Sequence, residues 1–103
     1  MNINKVDLSF QSCNADYAEA DVVIFSCPMD STTSFRPGAR FAGNAIRVDS
    51  AGVEWYSPYR KRSLKQFKTA DIGDLSLPIG DVETALALIH EATAKVISDG
   101  KKP

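Results

Sequence analysis

Hydrophobic positions fall into three patterns along the chain. Val22-Val23-Ile24-Phe25 is a short continuous apolar run, the pattern of a strand covered on both faces in a parallel sheet. From Asn44 onward, Ala45, Ile46, Val48 and Ala51 predict a helix that Gly52 ends, and Pro58 excludes its simple continuation. A second strand is predicted from Phe67 to Ile72, leaving the sheet at Gly73-Asp74. Strand, crossover helix and strand make a right-handed βαβ unit. The two strands should therefore lie side by side and parallel, with Gly73-Asp74 and the loop after the first strand at the same end of the sheet. Pro78, Gly80 and Asp81 then mark a turn, with Asp81 as the N-cap of a second helix. Val82, Leu86, Ile89, Thr93, Val96 and Ile97 form its apolar stripe, which ends at Asp99-Gly100. Residues 1–20 follow no clean period and read as an irregular arm packed on the body or on a neighbouring subunit.

Between the first strand and the first helix runs a long polar loop within the stretch from Cys27 to Arg47. Pro28, Pro37, Gly38 and Gly43 restrict its backbone or give it special freedom, while Asp30, Ser31, Thr32, Thr33, Ser34 and Arg36 crowd a surface that needs none of them for folding. Two readings stand for Asp30, Thr32, Thr33 and Arg36. Their side chains satisfy the loop's own amides and carbonyls, as Asx and Ser/Thr turns do, or they wall the mouth of a binding site. Arg36 and Arg40 are further candidates for pairing across subunits.

Charge removes several function classes. The 103 residues carry 12 basic and 13 acidic side chains, a formal net charge of −1, which provides no general field for nucleic acid or an anionic membrane. The one basic cluster, Arg60-Lys61-Arg62 with Lys65 and Lys68, has only Phe67 among it and reads as a solvated connection. No apolar run approaches the roughly 20 residues that span a bilayer, and the start lacks the apolar core of a secretory signal, so the expected location is cytoplasmic. Cys13 and Cys27 are isolated thiols without metal-ligand spacing, expected to be reduced, and Cys27 reads as a small buried hydrophobe.

Few residues offer chemistry of their own. His90 stands on the second helix without a second ligand at the right spacing. Asp71 and Asp74 close a strand at the end where open α/β sheets gather functional groups, and either cap the turn or orient a neighbouring ligand. No nucleophile-elbow motif is present to support a small serine or cysteine hydrolase.

The loop element D-S-T-T-S-F-R-P-G-A-R-F with A-I-R behind it, Y-S-P-Y at Tyr56 to Tyr59, and D-I-G-D-L at Asp71 to Leu75 together resemble the amino-terminal part of agmatinases, within the arginase/ureohydrolase family. The likeness runs from about Val22 to Pro103. Local departures are Ser26 and Ala42, where the family usually has Gly, and Gly43, where it has Pro. The resemblance implies an α/β, three-layer, parallel-sheet arginase-like fold, of which residues 1–103 form the amino-terminal βαβα part. It also implies hydrolysis of a guanidino compound, agmatine giving putrescine and urea, with two manganese ions acidifying a water.

The family's metal ligands lie in Gly-Gly-Glu-His, Asp-x-His-x-Asp and Asp-x-Asp elements, none of which occurs here. No residue of this chain therefore inherits a catalytic or metal-binding role, and the chain alone is expected to be inactive and to hold no manganese. Two strands with two helices leave a free sheet edge and uncovered apolar surface, so the expected partner is a carboxy-terminal portion or a second copy. The competing reading is a non-catalytic or split ureohydrolase-like module that binds a partner through that edge.

Overall fold

The computed structural model describes residues 1–103. Its centre is a three-stranded sheet in the order β1-β5-β2, where β1 is Ile3–Asn4, β2 is Val22–Ser26 and β5 is Thr69–Leu75. β2 and β5 are parallel, with Val22 opposite Thr69 and Ile24 opposite Asp71, as the βαβ pattern requires. Helix α1, Ala42–Asp49, lies between them in sequence and is extended by single 3-10 turns at Ala39–Phe41 and Ser50–Gly52. Helix α2 is Val82–Ser98. Asp81 caps it as expected, accepting from the Thr84 amide at 3.0 Å and the Thr84 hydroxyl at 2.7 Å.

Four details depart from the sequence pattern. The second strand starts and ends later than Phe67 to Ile72, because Leu64–Gln66 forms a 3-10 turn capped by Ser63, and because Ile3 and Asn4 pair antiparallel with Leu75 and Asp74. Part of the amino-terminal arm is thus an edge strand, too short to show a period of two. A hairpin of β3, Tyr56–Ser57, and β4, Arg62–Ser63, occupies the connection after α1. The buried face of α2 is Ala85, Ala92 and Val96, while Leu86 and Ile97 are exposed.

The core explains the last point. Val96 packs with Ala20, Val23 and Ala70, all small enough to let the helix come close to the sheet. β2 itself is only half covered: Val23 is buried, but Val22, Ile24 and Phe25 are not. Val22 and Ile24 instead border a cavity of about 270 Å3 with Phe10, Cys13, Leu64 and Phe67. Coverage on both faces, expected from the apolar run, is incomplete because α1 meets the second face only towards the carboxyl end of β2, where Ile24 shares a cavity of about 230 Å3 with Ala42, Gly43 and Ile46.

The outer edge of β2 already carries one further rung. Lys102 bridges to Val22 in parallel, its carbonyl accepting from the Val23 amide at 2.8 Å and its amide donating to the Asp21 carbonyl at 2.9 Å. The surface is large for the mass. It measures 7349 Å2, whereas a compact monomer of this size exposes about 5,700 Å2. The radius of gyration is 14.9 Å, against about 13 Å for a self-contained domain. No helix is long and apolar enough to cross a membrane.

Candidate functional site

Three residues from two elements, Arg47 of α1 and the Asp71–Asp74 pair of β5, meet at the carboxyl end of the sheet. Arg47 of α1 donates through Nε to Asp71 Oδ2 at 2.8 Å and through Nη2 to Asp71 Oδ1 at 2.9 Å, a bidentate fork. Its Nη1 reaches Asp74 Oδ1 at 2.6 Å and its Nη2 also reaches the Gly73 carbonyl at 3.0 Å. Asp71 accepts further from the backbone amides of Phe10 at 2.8 Å and Gly73 at 3.1 Å.

A strand alternates its side chains, so residues 71 and 74 would ordinarily face opposite ways. Here β5 holds one residue more than β2 between two rungs: Ile24 pairs with Asp71, and Ser26 with Asp74. The extra residue makes a bulge at Gly73, whose φ is 106°. The bulge changes the parity, so both carboxylates turn to the same guanidinium. Gly73 is required twice over, since a Cβ there would run into the Asn4 carbonyl of the neighbouring strand.

On the helix side, Gly43 allows the approach. A Cβ at Gly43 would collide with the Ser26 side chain at the end of β2. α1 therefore rests directly on the strand end, and the residues it buries are polar. Arg47 and Ser50 are 3% and 2% exposed, while Ile46 and Val48 are more than half exposed. Ser50 Oγ donates to the Arg47 carbonyl at 2.7 Å and accepts from the Gln11 amide at 2.9 Å, which ties the amino-terminal arm into the same cluster.

Burial pushes the Asp71 carboxyl up, but the Arg47 fork and the Phe10 and Gly73 amides outweigh it and hold the group below the ordinary carboxylate range. The hydrogen bonds that Arg47 donates to Asp71 raise its own value further against the opposing effect of burial. Both charges are thus permanent at neutral pH. No buried side-chain donor or acceptor in the structure lacks a partner. The Asp71–Asp74 pair takes a structural role, with Arg47 as its partner. Sequence reading gave Arg47 no role of its own; the signals it carried were its place in the A-I-R element and an arginine among the apolar positions of a helix.

The loop residues are less gathered. Asp30 accepts from Arg40 Nη1 at 2.8 Å and from its amide at 3.4 Å, which closes the loop on itself and pairs Arg40 within the chain. Its carbonyl accepts from the Thr33 amide at 3.1 Å. Desolvation opposes ionisation of Asp30, yet the Arg40 contacts hold its carboxyl below the usual range. Thr32, Thr33 and Arg36 are exposed, with no side-chain hydrogen bond to the loop, and Arg36 lies over the Phe35 ring at 5.1 Å with a left-handed φ of 50°.

Comparison with known proteins places this geometry. The sequence profile of the arginase family matches residues 20–103. The chain belongs to the arginase family. The agmatinase of Bacillus anthracis is 43% identical over 94 residues, 91% of this chain and 32% of that protein, and the agmatinase of Bacillus cereus is 42% identical over the same shares. The crystal structure of agmatine ureohydrolase of Thermoplasma volcanium superposes with a TM-score of 0.86 at 30% identity, covering 93% of this chain and 32% of that one. The fold is arginase-like, and the chain spans about a third of the length of the curated relatives it matches.

The residues present in this arginase-family chain do not fit a manganese centre. Nowhere do three or more His, Cys, Asp or Glu side chains gather as metal ligands. Asp71 and Asp74 face a guanidinium, which occupies the direction a cation would take. His90 is exposed on α2. Burial, helped by Asp71 and opposed by Arg47, pushes Cys13 up to about 11, and burial also raises Cys27, so both stay protonated at neutral pH.

Proposed function

We propose that the protein to which this segment belongs is an agmatinase, releasing urea and putrescine from agmatine in the cytoplasm. The observation that carries this reading is the 43% identity to a protein named agmatinase, together with a family match that includes the whole loop from Cys27 to Arg47. Manganese is implied by the family and would be bound by elements outside these residues. What this chain contributes is positional. The Arg47–Asp71–Asp74 cluster fixes α1 against the strand ends, and Arg40 fixes Asp30, so Thr32, Thr33 and Arg36 stand at the carboxyl end of the sheet as the wall of a substrate mouth.

The excess surface supports an obligate partner, either a carboxy-terminal portion of the same protein or a second copy. Phe35, Phe41, Ile46 and Val48, on the loop and α1, are each more than half exposed, apolar surface that such a partner would cover. The Lys102 rung on β2 favours strand addition at that edge.

Urea release from agmatine in added manganese is the test. The isolated 103-residue chain is expected to release none and to bind no manganese by calorimetry. A longer polypeptide carrying the Gly-Gly-Glu-His and Asp-x-His-x-Asp elements is expected to turn over. Turnover by a mass-verified 103-residue chain, or failure of the longer one on agmatine, would overturn the reading.

A further inference from the structure

The segment Arg60-Lys61-Arg62, which its sequence marks as a solvated connection, is folded back by the β3–β4 hairpin onto the chain's one tryptophan. A cavity of about 580 Å3 opens there, within the range of small-molecule sites. Trp55, Tyr56, Leu64 and Phe67 supply its apolar lining. Arg60 and Arg62 line it as well, and neither guanidinium enters any of the four ion pairs of the structure. Lys65 lies beside the cavity without lining it, its Nζ 4.3 Å from the centre of the Trp55 ring. Against these stands a single carboxylate, Glu54.

Its position separates the cavity from the substrate mouth. Phe67 precedes β5 by two residues, so the cavity adjoins the amino end of that strand, whereas the Cys27 to Arg47 loop leaves the carboxyl end of β2. Aromatic walls call for an apolar, flat body. Unpaired guanidinium forks at the same opening call for a planar anion, since they donate in pairs to a carboxylate. We propose that this cavity is a binding site for small aromatic carboxylates, with the ring against Trp55 and Phe67 and the carboxylate on Arg60 and Arg62. The site is independent of the hydrolase reading.

The lone Trp55 gives a direct probe, because its indole N–H is the only one in these 103 residues. The intact chain is titrated with 4-phenylbenzoate, with the neutral 4-phenylbenzamide and with inorganic phosphate, following that resonance by two-dimensional NMR. The carboxylate is expected to shift it saturably, the amide to bind roughly tenfold more weakly, and phosphate alone to shift it little. Arg62→Gln should weaken the carboxylate roughly tenfold, while Glu54→Gln should tighten it, an effect that loss of folding cannot imitate. Equal binding of acid and amide, an equal response to phosphate, or indifference to both substitutions would overturn the proposal.

Discussion

Arg47 and Asp71 meet fork to fork, Nε on Oδ2 at 2.8 Å and Nη2 on Oδ1 at 2.9 Å, with the arginine side chain 3% exposed and the aspartate side chain fully shielded. One side chain comes from a helix and the other from a bulged strand, so their contact fixes the angle at which α1 stands on the sheet. Because Asp71 also takes the Phe10 amide, the pair locks the amino-terminal arm at the same time.

Removing the guanidinium leaves a shielded carboxylate with no counter-charge. Arg47→Met is expected to cost about 3–5 kcal/mol, most of the stability of a small domain. Arg47→Lys keeps the charge but cannot fork across both Asp71 oxygens and also reach Asp74, so it should recover only part of that loss. Urea unfolding of the two variants reads the difference. A lysine variant as stable as the parent would show that charge alone, without the fork, holds the cluster.

The same pair makes stability depend on acid. Asp71 has a folded pKa below its unfolded value, so its contribution is fully present above the unfolded value of about 3.9. It is lost as pH falls through the lower, folded value. Thermal unfolding between pH 7 and pH 2 should therefore show a fall in Tm that begins near pH 4. In Asp71→Asn the protein should start less stable and lose less on acidification. An unchanged acid limb in that variant would assign the proton uptake to other carboxylates.

Gly73 carries the bulge that turns both carboxylates inward. Gly73→Ala adds a Cβ aimed at the Asn4 backbone and places a side chain at φ 106°, so β1 must leave the sheet or the bulge must close. A loss of about 2 kcal/mol or more is expected. Amide hydrogen exchange locates the damage: the Ser76 amide, which donates to the Asn2 carbonyl, should lose protection, while the Val23 amide on the far edge should keep it. Equal protection at Ser76 would mean that β1 tolerates the methyl group.

Elements governed by local rules were legible in the chain itself. A run of β-branched and aromatic residues makes β2, Asp81 and Gly100 bracket α2, and strand-helix-strand order makes the pairing parallel, because capping, periodicity and crossover handedness all act within neighbouring residues. The D-S-T-T-S-F-R-P-G-A-R-F loop pointed to the arginase family for the same reason: it is a contiguous string.

Only the tertiary structure decided which face of each helix is inside. α1 buries Arg47 and Ser50 and exposes Ile46 and Val48, the reverse of what hydrophobicity predicts, because two carboxylates 24 and 27 residues away wait at the strand end. α2 buries alanines in preference to Leu86 and Ile97, because Val96 seats against Ala20, Val23 and Ala70 and the helix lies close to the sheet. Ile3–Asn4 becomes a strand only because β5 offers Asp74 and Leu75. In each case the deciding partner is distant in sequence, and no local pattern encodes the close approach of two backbones or the charge that a neighbouring element will present.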